Sequence, residues 1–460
     1  MGFRKEKDAM GEVLVPEKAY YGAQTQRAIE NFPVSNIKMP VAFIRALALI
    51  KSCAAMVNCN LGLLSSQIAD AIIVAADEIT AGLHDKEFPV DVFQTGSGTS
   101  TNMNVNEVIA GRANEIITGR RGGKSPVHPN DHVNMGQSSN DVIPSALNIA
   151  AVTEVSDRLI PSVSLLLKRL DQKASEFSKI MKIGRTHLQD ALPITLGQEF
   201  AGYEDQVKKG LVRIERAVDG LMELTVGGTA VGTGVGAKPE FAPMVIDLIA
   251  KRTGFKFKKT SCHFSAQSFQ DAVVSMSAAL KGFAISMMKI ANDIRWLASG
   301  PRCGLGEIRL PALQPGSSIM PGKVNPVIPE VVIQVGAQVM GNDLAISLGG
   351  KNGNFELNTM LPLIIHNLLQ SVEILTSSTK LLAEKCVLGI VANREKCEEM
   401  VEKSIALSTL LVPVIGYDKA SEVARIALEQ DKTVMEVVKE KGLLTREEYE
   451  NIFGDILKTR

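Results

Sequence analysis

The sequence predicts a mainly α protein, a long central helical bundle with a smaller mixed N-terminal domain and a small helical C-terminal domain. Three observations predict it. Hydrophobic residues make up 45% of the 460 and aromatic residues only 5%, a balance that suits aliphatic helices better than sheets. Apolar residues recur at helical spacing over long stretches, at 141–180, 195–225, 265–299, 328–349 and 357–386. Runs of roughly 20 to 40 residues lie well above the usual helix of about 11–12, and a 30-residue helix is about 45 Å long.

The elements follow in order. Residues 1–138 read as a mixed domain, helical at 41–57 and 65–83 and broken by turn-rich links such as HPNDH at 128–132. Residues 139–392 hold the five long runs, the first kinked at Pro161. Their polar positions are too few to leave a wide solvated face, so they bury more than one side, and an oligomer with a shared helical core is expected. Residues 393–460 contain short helices, the last preceded by a capping box from Thr445 to Glu448.

Composition excludes several functions. The 50 basic residues match the 50 acidic ones, which leaves no general attraction for nucleic acid. The six cysteines form no CxxC pair, so neither a disulfide framework nor a zinc or iron–sulfur site is expected, and no metal or other cofactor. Residues 272–298 are apolar enough to raise a membrane span, but Lys281, Lys289, Asn292, Asp293 and Arg295 interrupt them. A helix buried in a protein core fits better. With no apolar segment at the N-terminus, the protein is expected to be soluble and cytoplasmic, with no membrane partner.

Chemistry concentrates in five small, polar, Gly-rich islands between the helices: QTGSGTSTNMNVNE (94–107), HPNDHVNMGQSSND (128–141), IGRTHLQDALPITLGQE (183–199), GGTAVGTGVG (227–236) and GSSIMPGKVNP (316–326). Such turns cap helices, which is their structural reading. They also bring main-chain N–H groups and short donors close to an anion. Five islands with the same donors on one bundle favour a site. Neither nucleotide motif holds. GTGVG follows a helical run instead of a strand, and in Gly316–Lys323 the residue after the lysine is Val324, not Ser or Thr. His187, between Arg185 and Asp190 in GRTHLQD, is placed for proton transfer. His128 and His132 bracket a segment that fits either a turn or a metal site.

GSSIMPGKVNP resembles the GSSxMPxKxNP signature of the fumarase/aspartase superfamily of lyases, and the other four islands resemble its remaining blocks in the same order. Within the superfamily the chain resembles the metal-free class II fumarases, through GSGTS (96–100), HPND (128–131), SSND (138–141), THLQD (186–190), MPGK (320–323) and GNFELN (353–358). Aspartases tend to have GAGTS, NPND, STND, TQLQD and MPAK at five of these places. One departure is Ser125, where fumarases often carry a basic residue.

The resemblance implies reversible hydration of fumarate to malate, by proton abstraction beside a carboxylate through an aci-carboxylate intermediate. It implies Ser317 as base, His187 as the group handling the other proton, and Glu330 as the residue orienting it. Substrate carboxylates would be held by Ser97, Gly98, Thr99, Ser138, Ser139, Asn140, Thr186, Ser318, Lys323, Val324 and Asn325. His128, Pro129, Asn130 and Asp131 would form a second dicarboxylate site. It further implies a homotetramer with active sites shared by three subunits. Aspartate ammonia-lyase or another superfamily lyase is the nearest alternative. A non-catalytic helical scaffold is the alternative of another kind, and it predicts loss of Ser317, His187 or Lys323, all of which are present.

Overall fold

The computed structural model describes residues 2–457. The chain opens with an antiparallel hairpin, β1 (Phe3–Asp8) and β2 (Gly11–Pro16), and continues through α1 (Ala23–Asn31), α2 (Val41–Asn60), α3 (Ser66–Thr80) and α4 (Thr99–Thr118). After α5 (Ser139–Glu154) and α6 (Ile160–Glu176) comes a second hairpin, β3 (Met181–Thr186) and β4 (Gln189–Thr195). The middle of the chain is helical: α7 (Leu196–Gly220), α8 (Phe241–Thr253), α9 (His263–Ser268), α10 (Asp271–Leu297), α11 (Val327–Lys351) and α12 (Leu361–Leu381). Five short helices end it, α13 (Arg394–Lys403), α14 (Val412–Ile415), α15 (Tyr417–Glu429), α16 (Val434–Glu440) and α17 (Arg446–Leu457). The mainly helical class with long central rods is the expected one. The first hairpin falls in the N-terminal stretch expected to be mixed; the second is additional to the expectation, because helical periodicity carries no signal for it.

The long runs resolve in detail. The stretch 141–180 is two helices joined by a π-turn at Val155–Leu159, across which Ile160 N donates to Val155 O, and Pro161 follows as the second residue of α6. The stretch 265–299 divides into α9 and α10. The box before α17 is present: Thr445 N donates to Glu448 Oε2 at 2.8 Å, and Glu448 N donates to Thr445 Oγ1 at 3.2 Å.

Contacts divide the chain into two compact units, Met1–Pro161 with Val212–Ala284 and Ala337–Thr376, and Ser162–Leu211 with Ile285–Gly336 and Ser377–Arg460. In the first, α2 is buried around most of its circumference and packs against α3, α5 and α8. One buried carboxylate inside it is paired twice: Asp343 accepts from Ser277 Oγ at 2.8 Å and from Lys281 Nζ at 2.5 Å. In the second unit the C-terminal helices enclose a small core in which Leu407, Val423, Val437 and Phe453 pack with Ile183 of β3. That core is what carries the second hairpin.

Three helices, α2, α10 and α11, are long and apolar enough to cross a membrane by length and composition. The chain's own packing buries 78% of the apolar window in α2, 50% in α10 and only 33% in α11. Met340, Leu344 and Leu348 of α11 and Ile285 and Trp296 of α10 are exposed on the single chain.

Leu407 is fully buried in the C-terminal core. Leu407→Ala is expected to cost about 2–5 kcal/mol of the stability of that core. Hydrogen exchange should show it as faster opening of α13, α15 and α16 with α2 unchanged. Uniform exchange throughout would place Leu407 outside a separate core.

Candidate active site

In the first unit, two helix N-termini meet. Thr99 opens α4 after Gly98, whose φ of 75° lies in the left-handed region, and Ser139 opens α5 after Ser138. Ser97 Oγ lies 2.9 Å from Thr99 Oγ1, which lies 2.7 Å from Ser139 Oγ. The first turns of a helix leave N–H groups without intrahelical partners and carry partial positive charge. Two such ends side by side, faced with hydroxyls, make a cradle for a carboxylate. Ser139 Oγ also donates to Asn140 Oδ1 at 3.4 Å, and Asn140 Nδ2 donates to Ala230 O at 2.8 Å, which joins the 227–236 island to the others. Leu361 N donates to Gly96 O at 3.0 Å.

Asp141 holds this cradle in shape. It is fully buried, and its carboxylate accepts from the main-chain N–H of Ser138 at 2.9 Å, of Gly227 at 3.0 Å and of Thr229 at 2.9 Å. The first of these, with the bond from Asn140 N to Ser138 Oγ at 3.2 Å, belongs to the capping box of α5. The other two clamp the neighbouring island, where Thr229 has a φ of 55°. Burial raises the Asp141 pKa to about 6, while the N–H donors and the charge of Lys51 pull the other way. Lys51 is fully buried too. Its Nζ donates to Asn102 Oδ1 at 2.8 Å and to Asn134 Oδ1 at 3.0 Å, tying α2 to α4 and to the segment after residue 133. Burial depresses its pKa to about 7, opposed by the charge of Asp141. Sequence reasoning missed both residues. Asp141 could have been found from the box pattern Ser138-x-x-Asp141, whereas Lys51 sits in an apolar run with no motif around it.

The segment 128–131 starts a π-turn, Pro129–Val133. His128 Nδ1 accepts from Asn130 N at 3.2 Å and Asp131 N at 3.1 Å, and His132 Nδ1 accepts from His128 N at 2.9 Å. Burial, Lys124 and His132 lower the pKa of His128, against the pull of Asp131. Both histidines are thus engaged in the turn. Among the described residues no group of three or more His, Cys, Asp or Glu side chains is placed to hold a metal.

In the second unit, Thr186 pairs with Gln189 across a two-residue turn, and His187 and Leu188 form its tip with φ of 56° and 61°. Both tip residues are left-handed. Turns of this kind favour Asn-Gly, and a residue with a Cβ pays roughly 1–2 kcal/mol there. The hairpin therefore holds His187 in a strained, exposed position, with Leu188 68% exposed beside it.

The loop 316–325 is closed by Gly316 N donating to Lys323 O at 2.7 Å and Asn325 Nδ2 donating to Gly316 O at 2.8 Å. Inside it, Ser317 Oγ accepts from two main-chain N–H groups, Ile319 at 3.2 Å and Met320 at 3.1 Å. Ser318, Lys323 and Val324 are exposed on the loop surface. Glu330 lies in the first turn of α11. Among the described residues no hydrogen bond or ion pair joins Glu330 to His187, or Ser317 to His187, so one chain does not assemble that trio. Asn325 has its amide spent on the loop.

Residues 11–341 match the family profile described as Lyase, and residues 407–454 match the one described as Fumarase C C-terminus. The chain is 54% identical over 448 residues to the class II fumarate hydratase of Nitrosomonas europaea, covering 97% of each. It is 54% identical over 446 residues to that of Halobacterium salinarum, covering 97% of this chain and 95% of that one. The crystal structure of a class II fumarase from Schistosoma mansoni matches with a TM-score of 0.96 at 41% identity, covering 100% of this chain and 99% of that one.

The buried lysine gives a pH signature. A lysine whose folded pKa is depressed contributes stability that is full above its unfolded value of 10.5 and is lost as pH falls towards about 7. Stability should therefore rise between about pH 7 and 9. In Lys51→Met that slope should disappear, as read from denaturation midpoints across the range. An unchanged slope would assign the titration to another group.

Proposed function

The chain belongs to the class II fumarate hydratases, metal-independent lyases that hydrate fumarate to malate, and from that premise we propose how its residues divide the reaction. Ser317 is the base that removes the proton beside a carboxylate of malate. A serine hydroxyl is a weak base unless its alkoxide is stabilised, and the two N–H groups of Ile319 and Met320 on Ser317 Oγ are the observation that carries the assignment. Lys323, on the same loop, adds positive charge.

Proton removal places a second negative charge on the adjacent carboxylate, as the aci-form. Each preorganised donor aimed at such charge contributes roughly 2.7–4 kcal/mol, and enzymes lower barriers by about 8–23 kcal/mol, so several donors must act together. The hydroxyls of Ser97, Thr99 and Ser139, the amide of Asn140 and Thr186 supply them, with the N-termini of α4 and α5 behind. Gly98, Ser138, Ser318, Val324 and Asn325 shape the surrounding backbone. His187, at the hairpin tip, gives or takes the proton of the departing or arriving water, with Glu330 setting its ring.

The segments carrying Thr99, His187 and Lys323 lie in separate blocks of the chain, and we assign them to different subunits of a homotetramer, each site drawing on three. The exposed apolar side chains of α10 and α11 are the surface that would pack there, since patches of that kind in a soluble protein mark association. This reading places the enzyme in solution in the cytoplasm. Residues 128–131 are assigned as a second, weaker dicarboxylate site, which should fill better at low pH as His128 gains its proton.

The test uses the purified protein with malate, following the ultraviolet absorbance of fumarate. Turnover of malate is expected, with none of aspartate, and it should survive exhaustive dialysis against EDTA. Ser317→Ala and His187→Asn should each lose roughly 10²–10⁴-fold in kcat while the assembly stays intact by light scattering. Near-normal rates in both variants would refute the roles given to the two residues.

A further inference from the structure

We propose that Arg185 and Glu307 are positioning residues that hold the strained hairpin tip, and with it His187, in the orientation the reaction needs. The proposal rests on the proton-handling role assigned to His187.

The observations all lie in the second unit. Arg185 meets Glu307 through both branches of its guanidinium, Nη1 to Oε2 at 3.1 Å and Nη2 to Oε1 at 3.0 Å. Glu307 is 0% exposed. Lys182, also buried, places Nζ 3.4 Å from Glu307 Oε2 and 3.2 Å from Glu199 Oε2. Glu307 is itself fixed by its backbone: its N–H donates to Leu297 O at 2.9 Å, and its carbonyl accepts from Asn393 N at 2.8 Å.

Side chains alternate along a strand, so residues 182 and 185 would point to opposite faces of a regular β3. The pairing register shifts opposite Gly184: Ile183 pairs with Pro193 and Arg185 with Asp190, so the extra residue of the bulge lies on β4, where Ala191 and Leu192 face Gly184 alone. The bulge bends and twists the hairpin at that point, and Lys182 and Arg185 both reach the Glu307 carboxylate. The close approach needs glycine, because a Cβ at Gly184 would lie 2.7 Å from Leu192 O. Bulge, glycine and ion pairs thus work to one end, two residues before His187. Beyond Arg185 the hairpin is exposed and its tip strained. Nothing past that point fixes the tip as firmly as the base does.

A buried ion pair contributes little net stability compared with well-packed apolar side chains. Its forked geometry does fix direction. The physical contribution of Arg185–Glu307 is therefore orientation, and a misplacement of about 1 Å at a catalytic group costs on the order of 10²-fold in rate.

The experiment uses the full-length enzyme. Arg185→Lys keeps the charge and loses the fork. It should lower kcat by about 10–100-fold, with KM for malate within about two-fold and the melting temperature close to that of the unaltered protein. On a His187→Asn background the same substitution should cause little further loss, because the two act as a unit. The double variant Arg185→Met/Glu307→Met should recover stability without recovering kcat. If Arg185→Lys does not fold, Glu307→Asp is read by the same measures. Unaltered kcat in the folded variant, or full additivity with His187→Asn, overturns the proposal. Should His187→Asn itself keep full activity, the reading of His187 fails instead, and the two failures are told apart.

Discussion

One buried carboxylate sets the terms for the cradle. Asp141 cannot be solvated where it lies, so its oxygens must be met by donors, and the donors it meets are main-chain N–H groups of Ser138, Gly227 and Thr229. That requirement joins two loops far apart in sequence. It also starts α5 at Ser139, which fixes the hydroxyl row Ser97–Thr99–Ser139. With no side-chain cation in contact with it, Asp141 depends on backbone dipoles, and small changes in the loops reach it directly. Lys51 plays a corresponding part, a buried amine held by the amide oxygens of Asn102 and Asn134.

The two halves of the machinery are built on opposite plans. The cradle is rigid through satisfied hydrogen bonds at helix ends. The hairpin and the 316–325 loop are exposed, and each is tied at its base: the hairpin by Glu307 and the C-terminal core, the loop by Gly316 and Asn325. His187 and Ser317 thus sit on short projections from fixed roots, and the hydroxyl row sits on the fixed frame.

Much of this was legible in the sequence because its signals are local. Apolar periodicity gave the long helices, Pro161 marked the break before α6, and the Thr445–Glu448 box marked the last helix. The islands gave the donors, since hydroxyl, amide and glycine residues collect where a backbone must come close to an anion. The rest depends on tertiary geometry. The hairpin at 181–195 has no Asn-Gly at its tip, and a bulge breaks its alternation, so it carries neither signal of a hairpin. Lys51 reads as an interruption in an apolar helix. Glu307 lies outside every island, and its role appears only when β3 folds against it. The even balance of 50 basic and 50 acidic residues likewise says nothing of where single charges are buried.

The hydroxyl row has a property that its distances alone do not express. In Ser97–Thr99–Ser139 either partner of each pair can be the donor, and a hydroxyl both gives and accepts. The row therefore has two self-consistent proton arrangements, one running each way. Passing from one to the other turns three O–H bonds and shifts no heavy atom. At the Ser97 end the row presents a lone pair in one order and an O–H in the other, while at the far end the Ser139 O–H turns between Asn140 and Thr99. The same unmoving wall can thus act as donor or acceptor by a change of proton order in place of a change of shape.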